Sequence, residues 1–526
     1  MADAPEVWTP KYNPWLIAVV VALAAFMEVL DTSIANVALP HLAGDLGASN
    51  DESTWVLTSY LVSNAIVLPL SGWLANLFGR KRFFLVCIFV FTVSSLLCGI
   101  APSLPMLILF RVIQGVGGGG LQPMAQAILA DTFPPAKRGL AFALYGITAI
   151  MAPTIGPTLG GWLTDNYSWR WIFYINLPVG IATLFLVIHV LEDPPYIARN
   201  RTAGVRVDYI GISLLALGVG ALQILLDKGQ EDDWFGSQFI VALAIICVVS
   251  LVSLVFWELH TKTPVIDLRM YKNFNFAVAN LMIFFLGMLL FAGLVMMPLF
   301  LQTLMGYTAQ SAGLVLSGAS MIILVEMPIV GQLTTKIPAK YIMAFGWLCL
   351  AFGMYYSTNG LDLDISFAAA SRLRIVQAFG LGFLFVPINL SAYVGVPAEK
   401  GNNVSGLVNF MRNIGSSVGT SMVTTMLARR AQFHQSILAS HATRYDPAFR
   451  NQLSGLTQQL QHAGATAPDA QVQAYGRLYR GLQVQSQTLA YIDTFMVLAV
   501  LASIMLVLAF IVRRSDPGGG GHVVAE

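Results

Sequence analysis

Charge is scarce in this chain. Only 11% of its 526 residues are Asp, Glu, Lys or Arg, against roughly 25% in a typical soluble domain. So few charges cannot cover the surface of a soluble protein this long. The net charge of +2 offers no basic field for nucleic acid, and no such partner is expected. Cysteine is rarer still. Cys87, Cys98, Cys247 and Cys349 all fall inside apolar stretches. They exclude a disulfide framework between loops, lack metal-site spacing, and read as small packing residues. No Gly-Lys-Ser/Thr phosphate loop occurs, which argues against ATP as an energy source. The links on the basic side are too short to hold an enzyme domain, so no enzyme is expected.

What the chain has instead is fourteen long apolar segments. About 17–25 apolar residues cross the roughly 30 Å hydrocarbon core of a bilayer. The candidates are 15–39, 55–77, 83–101, 106–129, 140–163, 171–191 and 209–226, then 239–259, 276–301, 312–333, 341–356, 372–392, 404–427 and 488–512. The first is too long for a signal peptide and leads straight into more membrane, so it stays as an anchor. The expected fold class is an all-α polytopic membrane protein.

The links alternate in charge. Arg80-Lys81-Arg82, Lys137-Arg138, Arg199, Arg201 and Arg206 follow the second, fourth and sixth spans. Lys262, Arg269 and Lys272, then Lys336 and Lys340, follow the eighth and tenth, and Arg513-Arg514 follow the last. The opposite links carry Asp45, Asp51 and Glu52, then Glu231, Asp232 and Asp233, then Asp362 and Asp364. The excess of Lys and Arg on one side places both termini in the cytoplasm.

One outer link is long. Residues 428–487 are rich in Gln and Ala and read as helix rather than coil. A link this long is either a docking surface for a partner outside the membrane or a cap on its own protein. Its histidines, His434, His441 and His462, are not spaced as a metal site.

The chain also repeats itself. Arg111, Gln114 and Gly117 in span 4 recur as Arg374, Gln377 and Gly380 in span 12. The stretch from Gly72 to Lys81 has a worn copy from Gly331 to Lys340. Two six-helix halves follow, with spans 7 and 8 as an inserted pair. The expected units are 1–206, 207–272, 273–512 and a cytoplasmic tail 513–526. Parallel six-helix repeats with a site between them are a transporter architecture.

Several motifs resemble the major facilitator superfamily. Gly72 to Arg82 resembles its signature loop, Arg111 with Gly115 and Gly117 its span-4 motif, and Gly156-Pro157 with Gly160-Gly161 the antiporter motif of its export branch. The runs from Leu30 to Pro40 and from Trp169 to Gly180 are similar to those of the fourteen-helix drug:proton antiporters, the EmrB type above all. Asn76 stands where the superfamily loop usually carries Asp, which removes a charged partner for Arg80 or a neighbouring helix end. The resemblance implies a major facilitator fold of fourteen transmembrane helices in a bacterial inner membrane. It implies proton-driven export of lipophilic, amphipathic or cationic compounds without a cofactor. It also implies a periplasmic adaptor and an outer-membrane channel as partners. Export of an endogenous metabolite, siderophore or lipid is the alternative, and a non-transporting receptor or scaffold the reading from another class.

Ionisable groups within the bilayer are costly and mark function. Glu28 and Asp31 share one face of span 1, and two carboxylates so close cannot both ionise cheaply. Arg111 lies at a similar depth, so contact with Asp31, direct or through Gln114, is expected. Glu326 is a further carboxylate in span 10. These four are the proton-coupling candidates. Asn36, Gln114, Gln377, Asn409, Arg412 and Asn413 are the substrate-cavity candidates. Gly72, Gly79, Arg80, Gly156, Pro157, Gly160 and Gly161 are the gating candidates, the small residues by allowing close helix approach and Pro157 by bending span 5.

Overall fold

A computed structural model describes residues 10–194, 207–443 and 445–512. Arg199, Arg201, Arg206 and the pair Arg513-Arg514 lie outside the described residues. The described residues form helices and no strand, and the chain spans the membrane many times. Twelve helical stretches are long and apolar enough to cross a bilayer among the described residues. Two more long helices, Ala339–Gly360 and Gly401–His441, pack within the same bundle.

The first half contains α1 (Pro14–Leu46), α2 (Asn50–Phe78), α3 (Arg80–Gly99), α4 (Leu104–Gly118), α5 (Leu121–Thr132), α6 (Pro135–Asn166), α7 (Trp171–Tyr174) and α8 (Asn176–Val190). The inserted pair is α9 (Tyr209–Lys228) and α10 (Gln238–His260). Then come α11 (Phe274–Thr303), α12 (Ala309–Leu333), α13 (Ala339–Gly360), α14 (Phe367–Ala378), α15 (Leu381–Ala392), α16 (Gly401–His441), α17 (Pro447–His462) and α18 (Ala467–Ala509).

Three expected single spans are broken. Span 4 divides into α4 and α5 at Gly119-Gly120, and span 12 into α14 and α15 at Phe379-Gly380. The cause is packing. A side chain on Gly119 would stand 2.7 Å from the Asn64 carbonyl, so α2 presses against the break. Gly380 has φ +126°, a conformation L side chains rarely adopt. Span 6 turns more gently at Ile175, between α7 and α8. The expected short span 341–356 is longer than its hydropathy suggests, at 22 residues.

The halves meet through α2 against α16 and α6 against α12. These two pairs exchange under the repeat, since span 2 corresponds to span 10 and span 5 to span 13. The α9 helix packs on both α2 and α16, across the seam, with Ser417 donating to Gln223 at 3.0 Å. Its partner α10 has the most apolar window, mean hydropathy 3.1, yet only 22% of it is buried. Ile245, Val248, Val249, Val252 and Phe256 point outward there, as lipid-facing residues do.

The long link is helical, as expected. The helix α16 runs 41 residues without interruption and α18 runs 43. Both continue past their spans, and α17 lies against α18 through Leu460, Ala470 and Ala474. This helical head marks one end of the bundle. The other end carries the basic links.

Candidate functional site

Pro157 shows how local sequence builds the site. Proline has no N–H, so the Pro153 carbonyl one turn earlier loses its helical partner. Ser33 of α1 donates its hydroxyl to that carbonyl at 3.0 Å. Only glycine at 156 allows this, because a side chain there would start 2.3 Å from Ser33 Oγ. Gly160 likewise lets the Ile34 backbone approach to within 3.1 Å of where its Cβ would be. Gly161 is different, with only Val37 at 3.9 Å. The antiporter-like motif is therefore a helix seam that clamps α1 to α6.

That clamp holds the carboxylates of α1 in place. Asp31 accepts from Arg111 Nη1 at 2.5 Å, from Gln114 Nε2 at 3.0 Å and from Asn176 Nδ2 at 2.6 Å. Arg111 also donates to the Gln114 amide oxygen at 2.9 Å and to the Val56 carbonyl at 3.1 Å. Its guanidinium carbon lies 4.3 Å from the Tyr60 ring centroid. Arg111 and Gln114 are fully buried in the first half. The charge on Asp31 is thus neutralised and its oxygens satisfied within one half.

Glu28 sits in a different setting one turn away. It accepts from Tyr60 Oη and Asn64 Nδ2, each at 3.0 Å, and from Gln122 Nε2. All three donors are neutral. The other end of the Gln122 amide accepts from Arg412 Nη2 of the second half. Arg412 also donates to Asn409 Oδ1 at 2.8 Å, and Tyr145 Oη donates to the same oxygen at 3.0 Å. A chain of polar groups therefore links Glu28 in α1, through Gln122 in α5, to Arg412 in α16.

Further cross-half contacts lie toward the basic end. Gln126 donates to Asn389 Oδ1 at 2.5 Å and accepts from Asn409 Nδ2. Arg80 pairs with Asp131 at 2.6 Å and donates to Asn402 Oδ1 at 2.8 Å. The expectation that Asn76 deprives Arg80 of a charged partner is corrected here, because α5 supplies Asp131. Asn76 instead accepts from Asn402 Nδ2 at 2.8 Å, so it joins the halves rather than pairing within one. Gly72 lets the Asn402 carbonyl come within 2.8 Å of a would-be Cβ. Gly79, at φ +90°, turns the chain from α2 into α3 and sets Arg80 in position. The bundle is closed at its basic end.

The remaining candidates lie apart. Glu326 of α12 is buried in the second half, its carboxylate set against the backbone N–H groups of Gly380 and Gly382. It faces the α14–α15 break, 2.9 Å from where a side chain on Gly382 would start. Gln377 is fully buried, donating to Ser357 Oγ at 2.7 Å. Asn413 is half-buried with no partner for Oδ1, and Asn36 is exposed on α1. Sequence reasoning missed Tyr60, Asn64, Gln122, Gln126 and Asp131. Tyr60 and Asn64 show the spacing of one helix face, and Asn176 lies inside a quoted motif, but only packing reveals their partners.

A family model described as Major Facilitator Superfamily matches residues 21–420. The chain belongs to that superfamily. It is 37% identical over 509 residues to the Multidrug export protein EmrB of Escherichia coli (strain K12), covering 96% of each chain. It is 36% identical to the Fatty acid resistance protein FarB of Neisseria gonorrhoeae, covering 95% of this chain and 96% of that one. The solved proton:xylose symporter XylE shares the fold at TM-score 0.58 and 15% identity, over 96% of this chain and 98% of that one. This superfamily member is a multi-pass membrane transporter, not an enzyme.

Proposed function

We propose that this chain is a proton-coupled multidrug efflux antiporter of a bacterial inner membrane, with its basic end in the cytoplasm. It exports lipophilic and amphipathic compounds by alternating access, driven by the proton gradient alone. Its names among relatives, multidrug export and fatty acid resistance, support a broad amphipathic substrate range. The head, facing the periplasm, is read as the dock for an adaptor that leads to an outer-membrane channel.

One observation carries the coupling. Of two carboxylates on one helix face, Asp31 has a counter-ion within its own half, while Glu28 is held by neutral donors and tied to the opposite half. The ionised form of Glu28 uses all three donors. Protonation removes an acceptor and loosens Gln122, and with it the hold on Arg412. The closed basic end then parts, and the cavity turns to the cytoplasm. A cationic or lipophilic solute enters there as Glu28 releases its proton inward. Return to the state seen here carries the solute out.

The test is drug uptake into everted vesicles energised by a proton gradient. Wild-type protein accumulates drug, and the gradient's collapse stops it. Asp31→Asn and Glu28→Gln each abolish gradient-driven uptake while the protein stays folded and inserted. Normal transport against a gradient by Glu28→Gln moves the proton site elsewhere, with Asp31 and then Glu326 next in line. Absence of gradient-dependent uptake by wild-type protein favours a scaffold. Orientation has its own test: an impermeant thiol reagent labels Gln459→Cys from outside and Lys336→Cys only from inside. Labelling of both from one side overturns the topology.

A further inference from the structure

The head carries charge against the rule that oriented the chain. Residues 428–487 contain six arginines and two aspartates, with no lysine or glutamate. Both aspartates are engaged locally. Asp446 caps α17, accepting from Ala448 N at 2.7 Å, and Asp469 accepts from the Thr466 hydroxyl at 2.6 Å at the start of α18. Arg430 is also accounted for, pinned with His434 onto Asp493 at 2.5 and 2.6 Å. Arg477 and Arg480 are not. They form no ion pair among the described residues and lie one turn apart on an exposed face of α18.

Beside them is a groove of about 570 Å³ between α16, α17, α18 and the link after α13. Leu363, Leu438, Phe449 and Leu482 supply apolar walls, and Arg477 and Arg480 are its only charged lining residues among the described residues. That volume falls in the range of sites that hold drug-sized ligands. An apolar trough with two guanidinium groups, and no acid to neutralise them, is complementary to an amphiphile with an anionic head.

We propose that this groove is a binding site for an amphipathic anion on its way out, a carboxylate-headed molecule with one hydrocarbon tail. The proposal rests on the export reading above. Height above the bilayer distinguishes an exported solute from a resident lipid. The last span begins near residue 488. At 1.5 Å per residue, Arg480 stands roughly 12 Å and Arg477 roughly 16 Å beyond it. The headgroup layer adds only about 5–8 Å to each face of the hydrocarbon core, so a resident phospholipid head lies below the backbone of both arginines. A free amphiphile released from the transporter can lie along the groove, tail toward Leu482 and head on the two arginines.

The experiment uses the full chain in nanodiscs of phosphatidylcholine, with dansyl-labelled undecanoic acid as probe and its methyl ester as the neutral control. The acid binds wild-type protein and the ester binds far less. The double variant Arg477→Gln/Arg480→Gln weakens acid binding about tenfold or more, since the charge-assisted contacts to the carboxylate are lost. The Lys/Lys double variant recovers part of it. Gradient-driven ethidium uptake into everted vesicles is unchanged in both variants, which separates this site from the coupling machinery. Equal binding of the acid by the Gln/Gln variant, or equal binding of acid and ester by wild type, overturns the proposal. So does displacement of the probe by phosphatidylglycerol in the nanodisc, which assigns the groove to a lipid. Loss of ethidium transport by wild-type protein overturns the export reading instead.

Discussion

Arg111 closes on Asp31 at 2.5 Å, whereas its repeat counterpart Arg374 meets no carboxylate among the described residues. Arg374 donates only to the Gln377 amide at 3.2 Å, its Nε has no partner, and it is nearly fully buried. Across from it stands Gly293, whose Cβ would be 3.1 Å from Nη1. Duplication kept the arginine in both halves, and only the first half keeps an acid for it.

The two arginines therefore differ in what their removal leaves behind. Arg111→Gln strands Asp31 as an uncompensated buried charge, which costs about 3–5 kcal/mol. Arg374→Gln strands nothing and relieves a buried cation. Thermal unfolding of purified protein in detergent is expected to show a clear loss for Arg111→Gln, and no loss or a gain for Arg374→Gln. Equal losses would mean that an unseen partner compensates Arg374.

Gln122 is expected to couple the halves without itself carrying a proton. Gln122→Leu cuts the polar chain between Glu28 and Arg412 and keeps side-chain volume. Gradient-driven export should fall about tenfold or more, the effect of losing roughly 1.4 kcal/mol at one step. Gradient-independent exchange of drug across the membrane should persist, because Glu28 and Asp31 remain. A parallel fall in both would make Gln122 a structural residue.

How far the sequence reached follows from which physics acts locally. Spans depend on hydropathy along the chain, so the long apolar helices and the helical head were legible. The Asp31–Arg111 contact was also legible, because helical rise alone places both at one depth. The breaks at Gly119-Gly120 and Phe379-Gly380 were not, since they answer to pressure from neighbouring helices. Gln122 carries no unusual local signal; its role exists only because α5 lies between α1 and α16. Arg80 shows the opposite failure. Its missing partner at position 76 was visible, and its replacement, Asp131, came from a helix that sequence could not place.

The α1–α6 clamp predicts a compensating pair. Ser33→Ala leaves the Pro153 carbonyl without a donor, at a cost of about 1–3 kcal/mol. Gly156→Ala places a methyl where Ser33 Oγ now sits, 2.3 Å from it, and should cost at least as much. Combined, the two changes remove the hydroxyl 2.3 Å from the new methyl but leave the residue-33 Cβ 2.5 Å from it, so the clash is eased rather than abolished, and the hydrogen bond to Pro153 is lost only once. The double variant should therefore be more stable than the sum of the single losses implies, measured by thermal unfolding as a double-mutant cycle. Simple additivity would show that Ser33 and Gly156 do not meet.

The head separates transport from assembly. Gln435 Nε2 donates to Tyr479 Oη at 3.3 Å, so α16 and α18 run side by side at that height. A cut from residue 436 to 483, closed by a short Gly/Ser bridge, can thus follow the native path. It keeps Arg430, His434 and Asp493, the pin at the base of the head. It removes α17, which packs on α18. The spans should keep their stability, because the head's small core of Leu460, Ala470 and Ala474 is separate from the core of the bundle. Gradient-driven uptake of a cationic drug into vesicles should therefore survive. Drug resistance of whole cells, and co-purification with an adaptor, should be lost. If vesicle uptake stops while an adaptor still binds, the head belongs to the transporter's own gate, and the partner must dock elsewhere on the outer face.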